Sequence, residues 1–327
     1  MSRATAIASA TARIPATCGE LLQGVDPGGP LLVSLPVAAL GTVEVTLTED
    51  PAIGVLPARP RAGAALRLAL GACGWRGGAQ ARLGGEVPSG RGLGASTIDV
   101  AGAICATFAA AARPLDPRAL MRLATGVEPS DTSPLPGLWA ADHVTARRIR
   151  HLGPAPTAWV VAVDAGGQVD TLALHARAGP GPTIPEGELD RLAAAVAAGD
   201  LATLGAVATA SALRNQDRLP HPALADALAV AADLGAAGLC AAHSGTVLGV
   251  ICATRTEADG ATAALTQRGW AATINRIHAP GAATGVSNAQ RCSSVALAPR
   301  RRVPAWGVVP GNAKPCPELD GGSIPPP

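Results

Sequence analysis

The chain has 327 residues, enough to bury one large core or two closely packed lobes. With 48% hydrophobic and 15% charged residues its composition is globular, and a net charge of +2 is too near neutral for a nucleic-acid or membrane-binding surface. No run of about 18 apolar residues occurs, so no bilayer span is expected, and the opening MSRATAIASATAR lacks the apolar stretch of a cleaved signal.

Two scarcities narrow the chemistry. There is no tyrosine, and the only lysine is Lys314 in an irregular tail. Schiff-base formation, the lysine of a GxxxxGK[ST] loop and the strand lysine of protein kinases are thereby excluded from the core. Any phosphate must be held by backbone N–H groups, arginine and metal. The cysteines (Cys18, Cys73, Cys105, Cys240, Cys252, Cys292, Cys316) form no CxxC pair. Reduced, buried thiols in a cytoplasmic protein are expected, not a zinc site or a disulfide framework.

In chain order, PLLVSLP (30–36) and ALGTVEVTLTE (39–49) predict strands from their alternation and β-branched content. A helix is expected over 61–73 and a strand over 79–87. The apolar stripe Ile98, Ala101, Ile104, Cys105 and Phe108 predicts a helix over 96–112. Asp116-Pro117 caps another that runs to about Ala124. After a break at EPSDTSPLPG (128–137), AWVVAVD (158–164) is a buried strand. Three helices fill 187–235; then come a strand (246–253), a helix (256–269) and a strand (271–278). The fold class is α+β in two lobes, with boundaries at 1–155 and 156–280. From about Gly281 periodicity stops, and residues 281–327 are expected to be a disordered tail whose RRR run is solvated.

Residues 88–97 read PSGRGLGAST, a glycine-rich turn in front of a helix. A helix N-terminus offers unpaired N–H groups and partial positive charge, and Gly90, Gly92 and Gly94 would let an anion approach them. Ser96 and Thr97 would add hydroxyls. On the loop alone a plain tight turn with Ser96 as N-cap serves equally well. GRGLGA also satisfies the dinucleotide fingerprint, but the helix is followed by a second helix, not by a strand ending in an acidic residue, so that reading fails.

Taken together, several segments resemble the GHMP small-molecule kinases, the superfamily of galactokinase, homoserine kinase and mevalonate kinase. PSGRGLGAST is similar to their PxxxGLGSS loop, IPATCGELLQG (14–24) to their first motif, and AAHSGTVLGVI (241–251) to their third. The first and third, with EPSDTSPLPG and SALRNQDRLPHP (211–222), look most like the L-threonine kinases of cobalamin biosynthesis and propanediol utilisation. The resemblance spans about residues 11 to 280. It departs where Ala95 replaces a serine, where 131–137 lacks an aromatic, and where His221, before Pro222, stands in place of a frequent lysine.

The resemblance implies a ribosomal-protein-S5-like N-terminal lobe and a ferredoxin-like C-terminal lobe, with ATP and Mg²⁺ as cofactors. It implies that Pro88, Ser89, Gly90, Arg91, Gly92, Leu93, Gly94, Ala95, Ser96 and Thr97 wrap the phosphates. Ser96 and Glu128 would be the Mg²⁺ ligands. Asp131 would be the base, or orienting group, for the acceptor hydroxyl; a local alternative makes it an N-cap. For an amino-acid acceptor, Glu20 with Gln23 suits the ammonium and Arg214 the carboxylate. Asp99 could support the metal through water, though solvation of the helix suffices. The expected activity is phosphorylation of L-threonine for the aminopropanol arm of adenosylcobalamin synthesis. Homoserine or another small alcohol, or ligand binding without catalysis, are the alternatives. Neither nucleic acid nor membrane is an expected partner.

Overall fold

Two long antiparallel strands, β1 (Ala6–Asp26) and β2 (Gly29–Thr48), form the spine of the computed structural model, which describes residues 6–85, 87–88, 90–166 and 181–287. In β2 the alternation read from the sequence is realised: Val43, Val45 and Leu47 are buried while Thr42, Glu44 and Thr46 lie on the other face. The two predicted strands at 30–36 and 39–49 are one continuous strand. β1 has no counterpart among the sequence expectations. Its inward positions are Ala10, Ala12 and Ile14, and alanine is a weak strand signal.

β3 (Ile53–Leu56) pairs parallel with β4 (Gly78–Gly84) across helix α1 (Pro60–Ala72), and β4 pairs antiparallel with β2. Helix α2 (Ala95–Ala110) packs on β1 and β2 and beneath α1 and α3 (Pro117–Thr125). Ile98, Val100 and Ala101 through Ala106 are all buried, so α2 is enclosed all round. Gly102 makes this possible: a Cβ there would sit 2.4 Å from Val43 Cγ2. Asp116 caps α3 through Ala119 N–H, as expected. A hairpin of β5 (Leu138–Ala141) and β6 (Ile149–Gly153) follows and was not foreseen.

The second half runs β7 (Trp159–Asp164), α4 (Glu188–Ala198), α5 (Leu201–Arg214), a 3₁₀ turn (Asn215–Asp217), α6 (Leu224–Leu234), β8 (Gly238–Ala241), β9 (Val247–Cys252), α7 (Arg255–Gln267) and β10 (Ala271–Arg276). Its strands order β10-β7-β9-β8, all antiparallel. That is the split βαβ arrangement of a ferredoxin-like lobe with two further helices between β7 and β8, and the fold is α+β as expected. The halves share one sheet, joined where Glu20 of β1 pairs with Ala241 of β8. Residues 283–287 of the segment expected to be a tail instead form β11 (Ala283–Ser287), which pairs with Ser9–Arg13 of β1. Residues 288–327, including Lys314, lie outside the described residues.

Among the described residues no helix is long and apolar enough to cross a membrane. Cys18, Cys73, Cys105, Cys240 and Cys252 are buried free thiols, and burial pushes Cys105 up to about 12. Gly102→Ala should lower the unfolding free energy by about 1–3 kcal/mol through overpacking, despite alanine's better helix propensity. A shifted urea midpoint at unchanged slope would show it.

Candidate active site

The site grows from the start of α2. Gly90, Gly92 and Gly94 have φ of 76°, 85° and 75°, a region that other residues enter only at a cost. Gly94, not Ser96, is the N-cap, and no side chain caps the helix, so the first-turn amides face outward from a bare helix end. The loop is fixed from two sides. Thr17 N–H of β1 donates to Leu93 O at 3.1 Å, and Thr246 N–H donates to Arg91 O at 2.9 Å. A Cβ on Gly245 would lie 2.2 Å from Gly92 Cα, and one on Gly92 would lie 2.4 Å from Ala242 Cβ. The loop and the third motif therefore touch backbone to backbone. The Arg91 guanidinium turns to Asp164 Oδ2 at 2.7 Å, away from a free phosphate-binding role. Ser89 lies outside the described residues.

Glu128 ends the segment after α3 and reaches back to α2. Ser96 Oγ donates to its Oε1, and Arg61 Nη1 bonds its Oε2 at 2.7 Å and Ser96 Oγ at 3.2 Å. Burial raises the Glu128 carboxyl, against the lowering effect of Ser96 and Arg61. The following turn is pinned residue by residue. Ser130 N–H donates to His143 O at 2.9 Å, Asp131 N–H to Thr97 Oγ1 at 3.1 Å, and Thr132 N–H to Ser34 Oγ at 3.2 Å. No helix starts at Asp131, so it is not an N-cap. Its Oδ2 lies 3.0 Å from where a Gly94 Cβ would be, directly under the loop. Burial, and after it the charge of Glu128, pushes Asp131 up to about 6, while a Thr97 hydrogen bond opposes the rise. Thr97 is itself buried and its hydroxyl serves Asp131.

Glu20 sits where β1 leaves β2 for β8. Gly19 (φ 70°) makes the bend, because a Cβ there would meet Ala241 C at 2.7 Å. Glu20 is only 3% exposed, and its Oε2 has no hydrogen-bond partner among the described residues. Burial first, then the Asp131 charge, holds its carboxyl well above the usual range. No cation among the described residues pairs with either Glu20 or Asp131.

The remaining expected substrate residues are otherwise engaged. Gln23 is fully buried; its Nε2 donates to Ala241 O at 2.9 Å and its Oε1 accepts from His243 Nδ1 at 3.1 Å. Arg214 closes its guanidinium fork on Glu188 of α4. Sequence reasoning missed Arg61, which carries no motif, and Arg218, which donates to His243 O at 2.6 Å. It also missed His143, whose ring meets that of His243 edge-on at 5.1 Å.

The bare helix end and its three left-handed glycines fit an anion, and the hard oxygens of Ser96 and Glu128 fit a hard divalent cation that retains waters. Among the described residues no group of three His, Cys, Asp or Glu could hold a metal, so a closed transition-metal site is not formed. Beside the first turn of α2 a pocket lined by Pro57, Arg59, Gly84, Val87, Ile98 and Asp99 continues from the loop. Its lining joins the apolar Pro57, Val87 and Ile98 to the Arg59–Asp99 ion pair, 3.9 Å across.

Family profiles described as "GHMP kinases N terminal domain" and "GHMP kinases C terminal" match residues 61–135 and 192–271. The chain is 29% identical over 252 residues to an L-threonine kinase of Salmonella typhimurium, covering 74% of this chain and 82% of that protein. It is 28% identical over 257 residues to an L-threonine kinase of Citrobacter freundii, covering 74% and 86%. In fold it is similar to a homoserine kinase from Cytophaga hutchinsonii, with a TM-score of 0.66 at 14% identity over 85% of this chain and 97% of that one. With N- and C-terminal GHMP kinase domains matched in order, and the loop, carboxylates and third motif meeting around the start of α2, the chain carries both domains of the GHMP kinases and is an ATP-dependent small-molecule kinase.

Proposed function

We propose that the protein transfers the γ-phosphoryl group of ATP to the side-chain hydroxyl of L-threonine, giving O-phospho-L-threonine for the aminopropanol arm of adenosylcobalamin synthesis in the cytoplasm. The observation that carries the acceptor class is Glu20, a buried carboxyl with an oxygen that nothing among the described residues satisfies. Such a group costs stability unless a cation arrives, and the ammonium of an amino acid is that cation. The resemblance to two L-threonine kinases narrows the amino acid.

On this reading the first-turn amides of α2 and the backbone of residues 90–94 bind the triphosphate, and the pocket at Ile98 and Asp99 takes the base. Ser96 and Glu128 hold Mg²⁺, which when bound neutralises charge developing on the phosphates. Glu20 fixes the ammonium, so the acceptor hydroxyl lies toward Asp131. Asp131 accepts that hydroxyl's hydrogen bond and takes its proton during transfer, a role suited to a carboxyl titrating near 6. Thr97 and the pinned backbone of Ser130 and Thr132 keep Asp131 from turning away. Arg214 and Gln23 receive no substrate contact, because their polar ends hold the walls of the cleft.

ADP release measured across L-threonine, homoserine, L-serine and mevalonate should be greatest with L-threonine and absent with mevalonate, which has no ammonium. Activity on homoserine alone would overturn the acceptor, and no ADP from any of them would overturn catalysis. Glu20→Gln should raise KM for L-threonine by about 30-fold, the loss expected for one charge-assisted hydrogen bond, with KM for ATP unchanged.

Asp131→Asn should lower kcat by at least about 100-fold while making the fold more stable at neutral pH. The sign follows from the raised carboxyl: its contribution to stability is complete below the unfolded value near 3.8 and is lost as pH rises through about 6. The variant should melt about 2–4 °C higher at pH 7.5, as roughly 1 kcal/mol implies for a domain of this size, and show no gain near pH 4.

A further inference from the structure

Arg61 is set by the first turn of α1, where Pro60 fixes the entry of the helix and α1 packs against α2. Its side chain is 47% exposed, yet one nitrogen, Nη1, bonds both Glu128 Oε2 and Ser96 Oγ, at 2.7 and 3.2 Å. These are the two side chains that the proposed function gives to the metal. A guanidinium and a divalent cation on the same carboxylate repel each other and divide the same lone pairs, so the two contend for Glu128. Arginine is long and half in solvent here, so it can move off without unpacking α1. It would then stand at the mouth of a phosphate site that no lysine among the described residues serves.

We propose that Arg61 is a positioning residue with two partners in sequence: it holds Ser96 and Glu128 together, gives up Glu128 to the metal–nucleotide, and then pairs with a phosphate oxygen. The proposal rests on Ser96 and Glu128 being the metal ligands. A residue that merely braces α1 against α2 would weaken every ligand alike. A contending cation makes two affinities move in opposite directions.

The test uses the full chain as wild type, Arg61→Ala, Arg61→Lys and Glu128→Gln. Free Mn²⁺ is followed by its paramagnetic resonance, and Mg²⁺ with a non-hydrolysable ATP analogue by calorimetry. Arg61→Ala should bind Mn²⁺ alone about threefold more tightly, as removal of a half-exposed ion-pair competitor implies. It should bind the metal–nucleotide analogue about tenfold more weakly, for loss of a charge-assisted phosphate contact, and Arg61→Lys should recover most of that loss. Mn²⁺ affinity unchanged or weakened in Arg61→Ala, with Glu128→Gln still losing Mn²⁺, overturns the proposal and leaves the metal site standing. Unweakened binding of the analogue overturns the phosphate contact. Wild-type Mn²⁺ binding by Glu128→Gln instead overturns the metal site itself, and the proposal with it. Should Arg61→Ala not fold, Arg61→Gln carries the same two measurements.

Discussion

The contact on which the rest of the structure depends is the close approach of two glycine loops at the start of α2. Gly92 and Gly245 lie so near that a methyl group on either would collide with backbone or Cβ atoms of the other strand of chain. One loop comes from the first half of the molecule and the other from the second, and they are tied by Thr246 N–H to Arg91 O. Asp164 clamps the same pair through Arg91 Nη1 and Thr246 Oγ1, at 2.7 and 3.1 Å. The halves share their sheet through the Glu20–Ala241 pairing, so this clamp sets how the first-turn amides of α2 face the carboxyls of Glu20 and Asp131. Transfer in line depends on that orientation more than on any reactive side chain.

Around the clamp the protein concentrates charge that the fold itself does not neutralise. Glu128 has Arg61 and Ser96 beside it, whereas Glu20 and Asp131 are both raised first by burial, Glu20 also by the charge of Asp131 and Asp131 by that of Glu128. The cost is carried by the enclosed core around α2 and the two long strands. These imbalances leave buried carboxyls whose charge state is open to whatever group enters beside them. The same reasoning explains why the hydroxyl of Thr97 and the backbone of 130–132 are committed to holding a carboxyl in place.

Much of the helical framework and the central strands could be read along the chain, because helix periodicity, Asp116 capping and the alternation in β2 are local signals. β1 escaped notice since its inward residues are small, and it is stable only because β2, β8 and β11 all pair with it. β11 lies beyond the last periodic segment and exists by pairing with the edge that β1 offers. In the site, motif order pointed to the glycine loop, Glu128 and Asp131, and the fold brings them together. Arg214 illustrates the opposite: its type suited a carboxylate, and the fold gave it Glu188.

By itself the sequence determined which chemistry was available. A single lysine and a glycine-rich turn ahead of a helix leave backbone amides, arginine and metal to hold phosphate, and those constraints are properties of neighbouring residues. Only the tertiary structure decided that Glu20 is buried without a partner, that Asp131 lies beneath Gly94, and that Arg61 lies on Glu128. Each of these is a meeting of segments 30 or more residues apart, where burial and distance, not residue type, set the charge state and the role.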